Sequence, residues 1–385
     1  MELSDYREKI DSIDKELIKL FAERMDTAAE IARYKKEHGM KVLDSARERA
    51  KLNDIASMVP EELSEYAISL YSLIFELSRS RQNRLLHKQS PLAESIQAAI
   101  EQTPPLFPEK AAVACQGVEG SNSQIACERL FRLPNELYFS TFDAVFNAIE
   151  KGLCRYGVLP IENSYAGDVG AVMDLMFSGS LYVNRMIELE VEHNLLGCHG
   201  AKLNEIRTVV SHPQALEQCA EFIRSHGWQT LSYSNTALAA QYVAGQNDPT
   251  VAAIASEETA ELYGLELLSK GINASRINTT RFAVFSRALH LPAADSRTGN
   301  EHFILVFTTK NEAGALAQPL NIIGAHDFNM RNLRSRPMKN LIWNYYFFVE
   351  AEGNISSVSG QNMLRELSAV CARLKLVGTY SGVKA

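Results

Sequence analysis

From Tyr6 onward the chain returns to the same side every three or four residues, through Ile10, Ile13, Leu17, Leu20, Arg24, Ala28, Ile31 and Lys35. That step is the period of a helical seam close to coiled-coil spacing. It predicts one helix from about Ser4 to Glu37, roughly 50 Å long at about 1.5 Å per residue. Asp44 has the chemistry of an N-cap and opens a short second helix holding Leu52 and Ile55. Leu63, Tyr66, Leu70, Leu73, Leu77 and Arg81 make a third seam. Two shorter helices cannot cover so long an apolar stripe. Residues 1–88 therefore predict an all-helical domain that packs on a second copy, in a homodimer or a larger homo-oligomer.

Past residue 88 the periodicity changes. Residues 89–109 form a linker, with Gln89-Ser90-Pro91 at one end and Thr103-Pro104-Pro105 through Pro108 at the other, around a short helical stretch. Short buried strands follow at Ala111–Gln116, Tyr156–Ile161, Thr208–Ser211, Val251–Ala255 and Phe282–Phe285, alternating with helical stretches such as Pro213–Arg224. This is α/β grammar over 110–290, long enough for two lobes with a cleft between them. A polar stretch at 291–299 is a second linker. Over 300–385 come strand His302–Thr309, helix Ala315–Ala325, strands near Met330–Ser335 and Trp343–Glu350, helix Val358–Arg373 and strand Lys375–Tyr380. The order βαββαβ is the α+β, ferredoxin-like arrangement.

Composition narrows the setting. A chain of 385 residues exceeds one ordinary core, and 46% hydrophobic with 22% charged residues is the balance of a soluble multidomain protein. The net charge of -7 speaks against a nucleic-acid partner. No apolar run approaches a membrane span, and Met1-Glu2-Leu3-Ser4-Asp5 lacks the basic and apolar regions of a secretion signal, so a cytoplasmic protein with no membrane partner is expected. Six scattered cysteines without a CxxC pair suit reduced structural thiols. His193, Cys198 and His199 match no ligand spacing, and no metal is expected.

Two cations, Arg24 and Lys35, interrupt the first seam, where charge is costly unless it snorkels outward or meets an anion. Arg7 lies beside Tyr6, and Arg47 sits in the first turn of the second helix. Four cations against a helical core suggest a site for a small dianion. Ser78 and Gln82, at i and i+4, add neutral donors from one face of the third helix. Together with Arg7-Glu8-Lys9-Ile10-Asp11, Glu23-Arg24 and Asp44-Ser45-Ala46-Arg47-Glu48-Arg49, these positions resemble the all-helical class of chorismate mutase, an intertwined dimer. The resemblance implies that Arg7 reaches into the partner's site while Arg24 and Arg47 clamp substrate carboxylates. It also implies that Lys35 and Gln82 hydrogen-bond the ether oxygen and Glu48 the ring hydroxyl, with Asp44 and Ser78 completing the site. A pericyclic rearrangement needs no cofactor, nucleophile or proton transfer, only a fixed conformer and stabilised charge on the breaking ether.

In the α/β region, Gln116-Gly117-Val118-Glu119-Gly120-Ser121 follows a strand and opens a helix, a place where backbone N–H groups can hold a carboxylate. The dinucleotide fingerprint GxGxxG is absent. Three polar clusters end strands: Pro160-Ile161-Glu162-Asn163-Ser164, Ser211-His212-Pro213-Gln214 and Asn278-Thr279-Thr280-Arg281-Phe282. In this order they resemble prephenate dehydratase, a two-lobed, periplasmic-binding-protein-like fold, most specifically at Thr280-Arg281-Phe282. The resemblance implies Thr280 as the catalytic proton donor, supported by Glu162, Asn163, Ser211 and Gln218. Arg281 is then either a carboxylate partner or a structural ion pair. Asn122 and Gln124 depart from the family's tyrosine and histidine.

The last segment resembles an ACT regulatory domain, which binds an amino acid between two copies. Gly314-Ala315-Leu316-Ala317 stands for the usual glycine-alanine-leucine-valine turn, and Arg334-Ser335-Arg336-Pro337 for glutamate-serine-arginine-proline. This implies phenylalanine as effector near Gly314, Ala315, Leu316, Ser335, Arg336 and Pro337, weakened by the charge reversal at Arg334. The combined expectation is a bifunctional enzyme of phenylalanine biosynthesis acting on chorismate and prephenate without cofactors. Three alternatives stay open: preference for arogenate over prephenate, a mutase fused to a dehydrogenase, which the missing fingerprint disfavours, and a non-catalytic amino-acid-binding regulator, for which a hydroxyl acid at Thr280 has no use.

Overall fold

A computed structural model describes residues 2–40, 42, 44–86, 91–104, 107–274, 278–292, 301–312, 314–338 and 344–383. The expected linker ends at Gln89-Ser90 and Pro105, and all but two residues of the 291–299 stretch, lie outside the described residues.

The first stretch is helical: α1 Leu3–Glu37, α2 Ser45–Ser57, α3 Ser64–Leu86 and α4 Pro91–Gln102. The middle alternates: β1 Lys110–Gln116, α5 Asn122–Leu130, β2 Leu133–Phe139, α6 Phe142–Glu150, β3 Tyr156–Asn163, β4 Gly167–Asp168, α7 Gly170–Ser178 and β5 Tyr182–Glu190. It continues through β6 Asn194–Gly197, β7 Thr208–Ser211, α8 Pro213–Gln218, α9 Ala220–His226, β8 Gln229–Ser232, α10 Thr236–Gln246, β9 Val251–Ala255, α11 Glu257–Tyr263, β10 Glu266–Ser269 and β11 Thr279–Ser286. The end is β12 Glu301–Thr308, α12 Ala317–Ala325, β13 Asn329–Pro337, β14 Tyr345–Glu352, α13 Val358–Val370 and β15 Arg373–Val383. Among the described residues no helix is long and apolar enough to cross a membrane.

The chain divides into two compact units. One holds Met1–Gln97, Phe307–Phe348 and Ile355–Leu374; the other holds Ala98–Val306, Val349–Asn354 and Lys375–Ala385.

In the first unit α1 starts with a reciprocal cap, Glu2 N donating to Asp5 Oδ2 at 2.8 Å, and ends with Lys35 and Lys36 near its negative pole. α2 starts as expected, with Asp44 Oδ1 accepting from Arg47 N at 3.1 Å. Met25, Ala28, Ala29 and Ala32 are the buried residues of α1, and small side chains there let α3 approach closely. Tyr6, Ile10, Ile13 and Leu17, on the preceding turns, stay 53–56% exposed. The predicted seam exists, and within one chain its N-terminal half is uncovered. Helix α13 lies on α3, where Ser80 donates to Glu366 and His326 Nε2 meets the same carboxylate at 3.1 Å.

The second unit has two lobes. In the first, strands run β15–β5–β11–β3–β1–β2, with β1 parallel to β2 and β3 and with β11 antiparallel to both β3 and β5. The second lobe is a sheet of order β10–β6–β9–β7–β8 flanked by α8–α11. Its buried strands, such as Val251–Ala255, are small and apolar because helices cover both faces. The chain crosses between lobes twice, after β5 and before β11, and the crossings are tied together. Val191 N donates to Asn278 O at 2.8 Å, and Asn278 Nδ2 donates to Val191 O at 2.9 Å.

One expectation needs correction. The helix expected over Pro213–Arg224 is two helices broken at Cys219, because the Gln218 carbonyl accepts from Ala274 N at 3.0 Å instead of continuing the ladder. The short helical stretch expected within the linker is a 12-residue helix, α4, that buries Ile96 and Ala99.

Candidate active sites

The first unit contains a cavity of about 430 Å³ between α1, α2 and α3. Arg24 and Lys35 enter it from α1, Asp44, Arg47 and Glu48 from the start of α2, and Ser78 and Gln82 from α3. Seven residues expected to share a site therefore line one pocket. Arg7 is not among them; it sits on the exposed early part of α1. Thr27, Lys51, Phe75 and Arg79 also line the pocket, without having been foreseen. Burial pushes the Arg24 guanidinium below its ordinary value, opposed by Tyr71 and Glu48, and Arg24 lies over the Phe75 ring at 5.5 Å while donating to Ser78 Oγ. Lys35 Nζ donates to Val42 O at 2.5 Å, and Arg79 pairs with Glu48. Gln82 is 7% exposed, and its Oε1 is buried with no partner among the described residues. A buried amide without a partner is costly unless a ligand supplies one.

The second unit contains a cleft of about 380 Å³ lined from both lobes. Thr280 on β11 and Asn163 on β3 are paired in register, and Asn163 Nδ2 donates to Thr280 Oγ1 at 2.9 Å. The threonine oxygen accepts that bond, so its own proton is free to be donated elsewhere. Asn163 is fixed in turn: Nδ2 also reaches Asn278 Oδ1 at 2.9 Å, and Oδ1 accepts from Tyr165 N and Ala166 N at 3.0 and 2.9 Å. Behind it, Gln218 Nε2 donates to Asn278 Oδ1 at 3.3 Å, and Gln218 Oε1 lies 2.6 Å from His193 Nε2. The amide oxygen can only accept, so His193 carries its proton on Nε2. Burial lowers the His193 pKa, partly offset by Gln218, and keeps the ring neutral. The amides of Asn163, Asn278 and Gln218 have their donor and acceptor roles set by one another and by backbone groups.

Among the described residues lining the cleft there is no Asp, Glu, Lys or Arg. Two helices open on it instead. Ser121–Ser123 open α5 from the first lobe and Ser234–Thr236 open α10 from the second. Asn235 caps α10 by accepting from Leu238 N at 2.7 Å, whereas Ser121 makes no side-chain cap bond. The glycine-rich turn itself works differently from expectation. Gly117 and Gly120 adopt φ of +107° and +84°, and the N–H groups of Gly117, Gly120 and Ser121 are all engaged internally. Gln124, one of the two family departures, is what occupies the Gly120 N–H, at 2.5 Å, and it does not line the cleft; Asn122, the other, does.

Of the remaining expected residues, Gln218 lines the cleft and Ser211, Glu162 and Arg281 do not. Ser211 is fully buried and donates to Ile254 O at 2.6 Å. Arg281 does not line the cleft; it pairs with Glu162 at 3.2 Å and Glu350 at 2.7 Å and reaches the Tyr380 hydroxyl at 3.0 Å. His193, His212, Gln214 and Asn235 line the cleft and had no role assigned from sequence. In the core nearby, Cys115, Cys127 and Glu136 bring possible ligand atoms within 4.8 Å of one another. The Cys127 thiol is pushed far up by its bond to Cys115 and by burial, so it is a neutral core group there. His199 is exposed beside Glu266, apart from the buried surroundings of His193 and Cys198.

In the last segment Gly314, with φ +78°, turns the chain so that Ala315 N and Ala317 N bond to Glu312 O and Gly314 O at 3.2 and 3.0 Å, and Leu316 leads into α12. Ser335, Arg336 and Pro337 close β13, whose residues alternate between exposed and half-buried.

Comparison with known proteins matches the two segments that contain the pockets. The chorismate mutase type II pattern matches residues 6–83, and the prephenate dehydratase pattern matches residues 113–289. The chain is 31% identical over 388 residues to the bifunctional chorismate mutase/prephenate dehydratase of Buchnera aphidicola subsp. Acyrthosiphon pisum, covering 98% of this chain and 96% of that one. It is 31% identical over 386 residues to the protein of that name from Escherichia coli strain K12, covering 97% and 95%. The prephenate dehydratase of Arthrobacter aurescens, solved in complex with L-Phe, shares the fold at a TM-score of 0.65 and 23% identity over 70% of this chain and 90% of that one. Matched in order and almost from end to end, the chain belongs to the bifunctional chorismate mutase/prephenate dehydratase family.

Proposed function

We propose that the two pockets divide two consecutive reactions between them. As a member of its family the chain converts chorismate to prephenate, and prephenate to phenylpyruvate with loss of water and carbon dioxide. The contrast between the pockets carries the assignment: one is ringed by cations around a buried amide whose oxygen has no partner among the described residues, and the other is a cleft whose described lining holds no Asp, Glu, Lys or Arg, around a held hydroxyl.

In the helical pocket Arg24 and Arg47 fork onto the two carboxylates and fix the reactive conformer. As the C–O bond breaks, negative charge grows on the ether oxygen, and the Lys35 ammonium and the Gln82 amide receive it. Gln82 donates through its NH₂, the rotamer that a ligand acceptor selects. Glu48 accepts from the ring hydroxyl. Arg7 comes from a second copy, and the exposed stripe Tyr6, Ile10, Ile13 and Leu17 supports a dimer built along α1.

In the cleft the substrate's carboxylates meet the N-termini of α5 and α10. The ring carboxylate leaves as carbon dioxide, and its bonding pair enters the ring. The ring hydroxyl leaves on the other side with the proton of Thr280, as water. Asn163 holds the threonine oxygen through the transfer, and solvent returns the proton. Arogenate would bring an ammonium group to a cleft that has no carboxylate among its described lining residues, which favours prephenate.

The βαββαβ order from β12 to β15 supports a ferredoxin-like ACT domain, with β13 as an edge open to a second copy and the Gly314 turn beside α12. Phenylalanine is its ligand, bound weakly because Arg334 stands where the family has glutamate. A cytoplasmic setting, where thiols stay reduced, suits the six free cysteines. The test is to supply chorismate to the purified protein and follow its loss together with the appearance of phenylpyruvate, with and without L-phenylalanine. Chorismate loss without phenylpyruvate would overturn the dehydratase assignment. No heat of binding with L-phenylalanine, and no effect on turnover, would overturn the effector assignment.

A further inference from the structure

Successive residues of a strand face opposite ways, so while Thr280 points into the cleft, Arg281 points behind it. There its guanidinium is held on three sides. Nη1 donates to Glu162 Oε2 at 3.2 Å and to Glu350 Oε2 at 3.1 Å; Nη2 donates to Glu350 Oε1 at 2.7 Å and reaches the Tyr380 hydroxyl at 3.0 Å. Glu350 and Tyr380 are 4% and 2% exposed, the Tyr380 hydroxyl donates to Glu350 Oε1, and the His302 ring stacks on Tyr380 at 5.0 Å. Glu350 comes from β14, Tyr380 from β15 and His302 from β12, all beyond the segment that matches prephenate dehydratase. Burial opposes the charge of Arg281, but the bond and charge of Glu350, with Tyr380 and Glu162, hold the guanidinium above its ordinary value.

The position of this clamp matters. The β3–β11 register slips between Arg281 and Phe282: Arg281 faces Glu162 while Phe282 faces Pro160. The extra residue is Ile161 on β3, so the bend falls in β3, beside Glu162 and Asn163, the partners of Arg281 and Thr280. β11 keeps an unbroken register with β5 there, Thr280 opposite Leu189 and Arg281 opposite Glu188, so the aim of the Thr280 hydroxyl at Asn163 depends on how β3 and β11 are held together at the bulge. Asn163 holds it from the cleft side, and the bidentate Arg281–Glu350 pair holds the same backbone from behind.

We propose that Glu350 and Tyr380, contributed by the C-terminal strands, are positioning residues of the dehydratase reaction, setting the aim of the Thr280 hydroxyl through Arg281. The assignment rests on Thr280 as the proton donor. It means that the dehydratase is completed by chain outside its own sequence pattern, and that distortion of β14 or β15 reaches the reacting hydroxyl through one side chain.

The experiment is a double-variant cycle in the full-length protein. Glu350→Gln keeps the shape and one acceptor but loses the charged fork. It is expected to lower dehydratase kcat by about tenfold to a hundredfold with little change in KM, the pattern of a displaced reacting group. The chorismate mutase rate of the same preparation reports the amount of folded protein. Tyr380→Phe, which removes only a hydroxyl, gives a smaller loss in the same direction and serves should Glu350→Gln fold poorly. In a Thr280→Val background neither change has a hydroxyl left to misaim, so each is expected to cost nothing more. Full multiplication of the losses in the double variants would overturn the proposal, as would wild-type kcat in both single variants. Wild-type kcat in Thr280→Val alone would instead defeat the assignment of Thr280.

Discussion

Thr280→Val removes one hydroxyl and leaves a side chain of nearly the same shape at the centre of the cleft. What the folded state loses is one acceptor for Asn163 Nδ2, which keeps Asn278 Oδ1 at 2.9 Å and Thr279 O at 3.4 Å. No donor is orphaned, so the folding cost is about 1 kcal/mol, a shift of about 2–4 °C in Tm. On the proposed role of Thr280, what the reaction loses is its acid. A positioned proton donor contributes about 10²–10⁴-fold, or roughly 2.7–5.5 kcal/mol of barrier. On the proposed binding of the carboxylates at helix N-termini, which the substitution does not touch, substrate affinity is expected to stay close to that of the parent. The assay is phenylpyruvate formation from prephenate at saturating substrate, with chorismate consumption and thermal unfolding measured on the same sample. A kcat within about fivefold of the parent would refute the reasoning, since no general acid is worth so little.

Other perturbations address other links. Arg7→Ala and Lys35→Ala each abolish most mutase turnover. If α1 pairs two copies, mixing and re-associating the two variants restores about a quarter of the sites, because half the dimers are mixed and each holds one intact site; no recovery would sink the shared site. Burial lowers the His193 pKa beneath 6.5, so the folded state binds that proton less readily than the unfolded chain. The corresponding stability is fully present above pH 6.5 and is lost as pH falls toward the lowered value, at up to about 1.4 kcal/mol per pH unit. His193→Gln removes this slope from denaturation curves between pH 5 and 7, and parallel curves for the two proteins would count against it. Gly157→Ala places a Cβ 2.5 Å from Ile149 Cδ1 and 2.9 Å from Val145 Cγ1 beneath β3. It is expected to destabilise by about 1–3 kcal/mol in urea titration, and an unchanged midpoint would mean the strand can shift.

The first unit was legible because its signals are local. A three-to-four step writes a helix directly, and a cation on an apolar seam marks a pocket before any neighbour is known. The same logic placed Asp44 as a cap to the residue. The second unit was legible where strands are purely apolar, as at Val251–Ala255, and illegible at β5. There Asn184 and Arg185 interrupt the run, and both are satisfied by distant partners: Asn184 by Ser286 at 2.7 Å, and Arg185 by the Phe107 ring at 3.8 Å. A break made by a long-range hydrogen bond, as between α8 and α9, leaves no trace in periodicity. Site residues divided the same way. Thr280 and Asn163 stood in motifs, whereas His193 takes its meaning from Gln218, and Arg281 from Glu350 and Tyr380. No spacing rule connects those pairs.

One polypeptide here greets nearly the same dianion in two dielectric styles. Arg24, Lys35, Arg47, Lys51 and Arg79 surround the helical pocket, whereas the described wall of the cleft offers only dipoles. Mobile ions compete with full charges over a screening distance of about 8 Å at 0.15 M salt, and far less with backbone dipoles at short range. Rising ionic strength is thus expected to raise KM for chorismate well before it raises KM for prephenate. In brine the first step would starve the second, and the flux through the whole protein would be governed by the end that holds its substrate with charge.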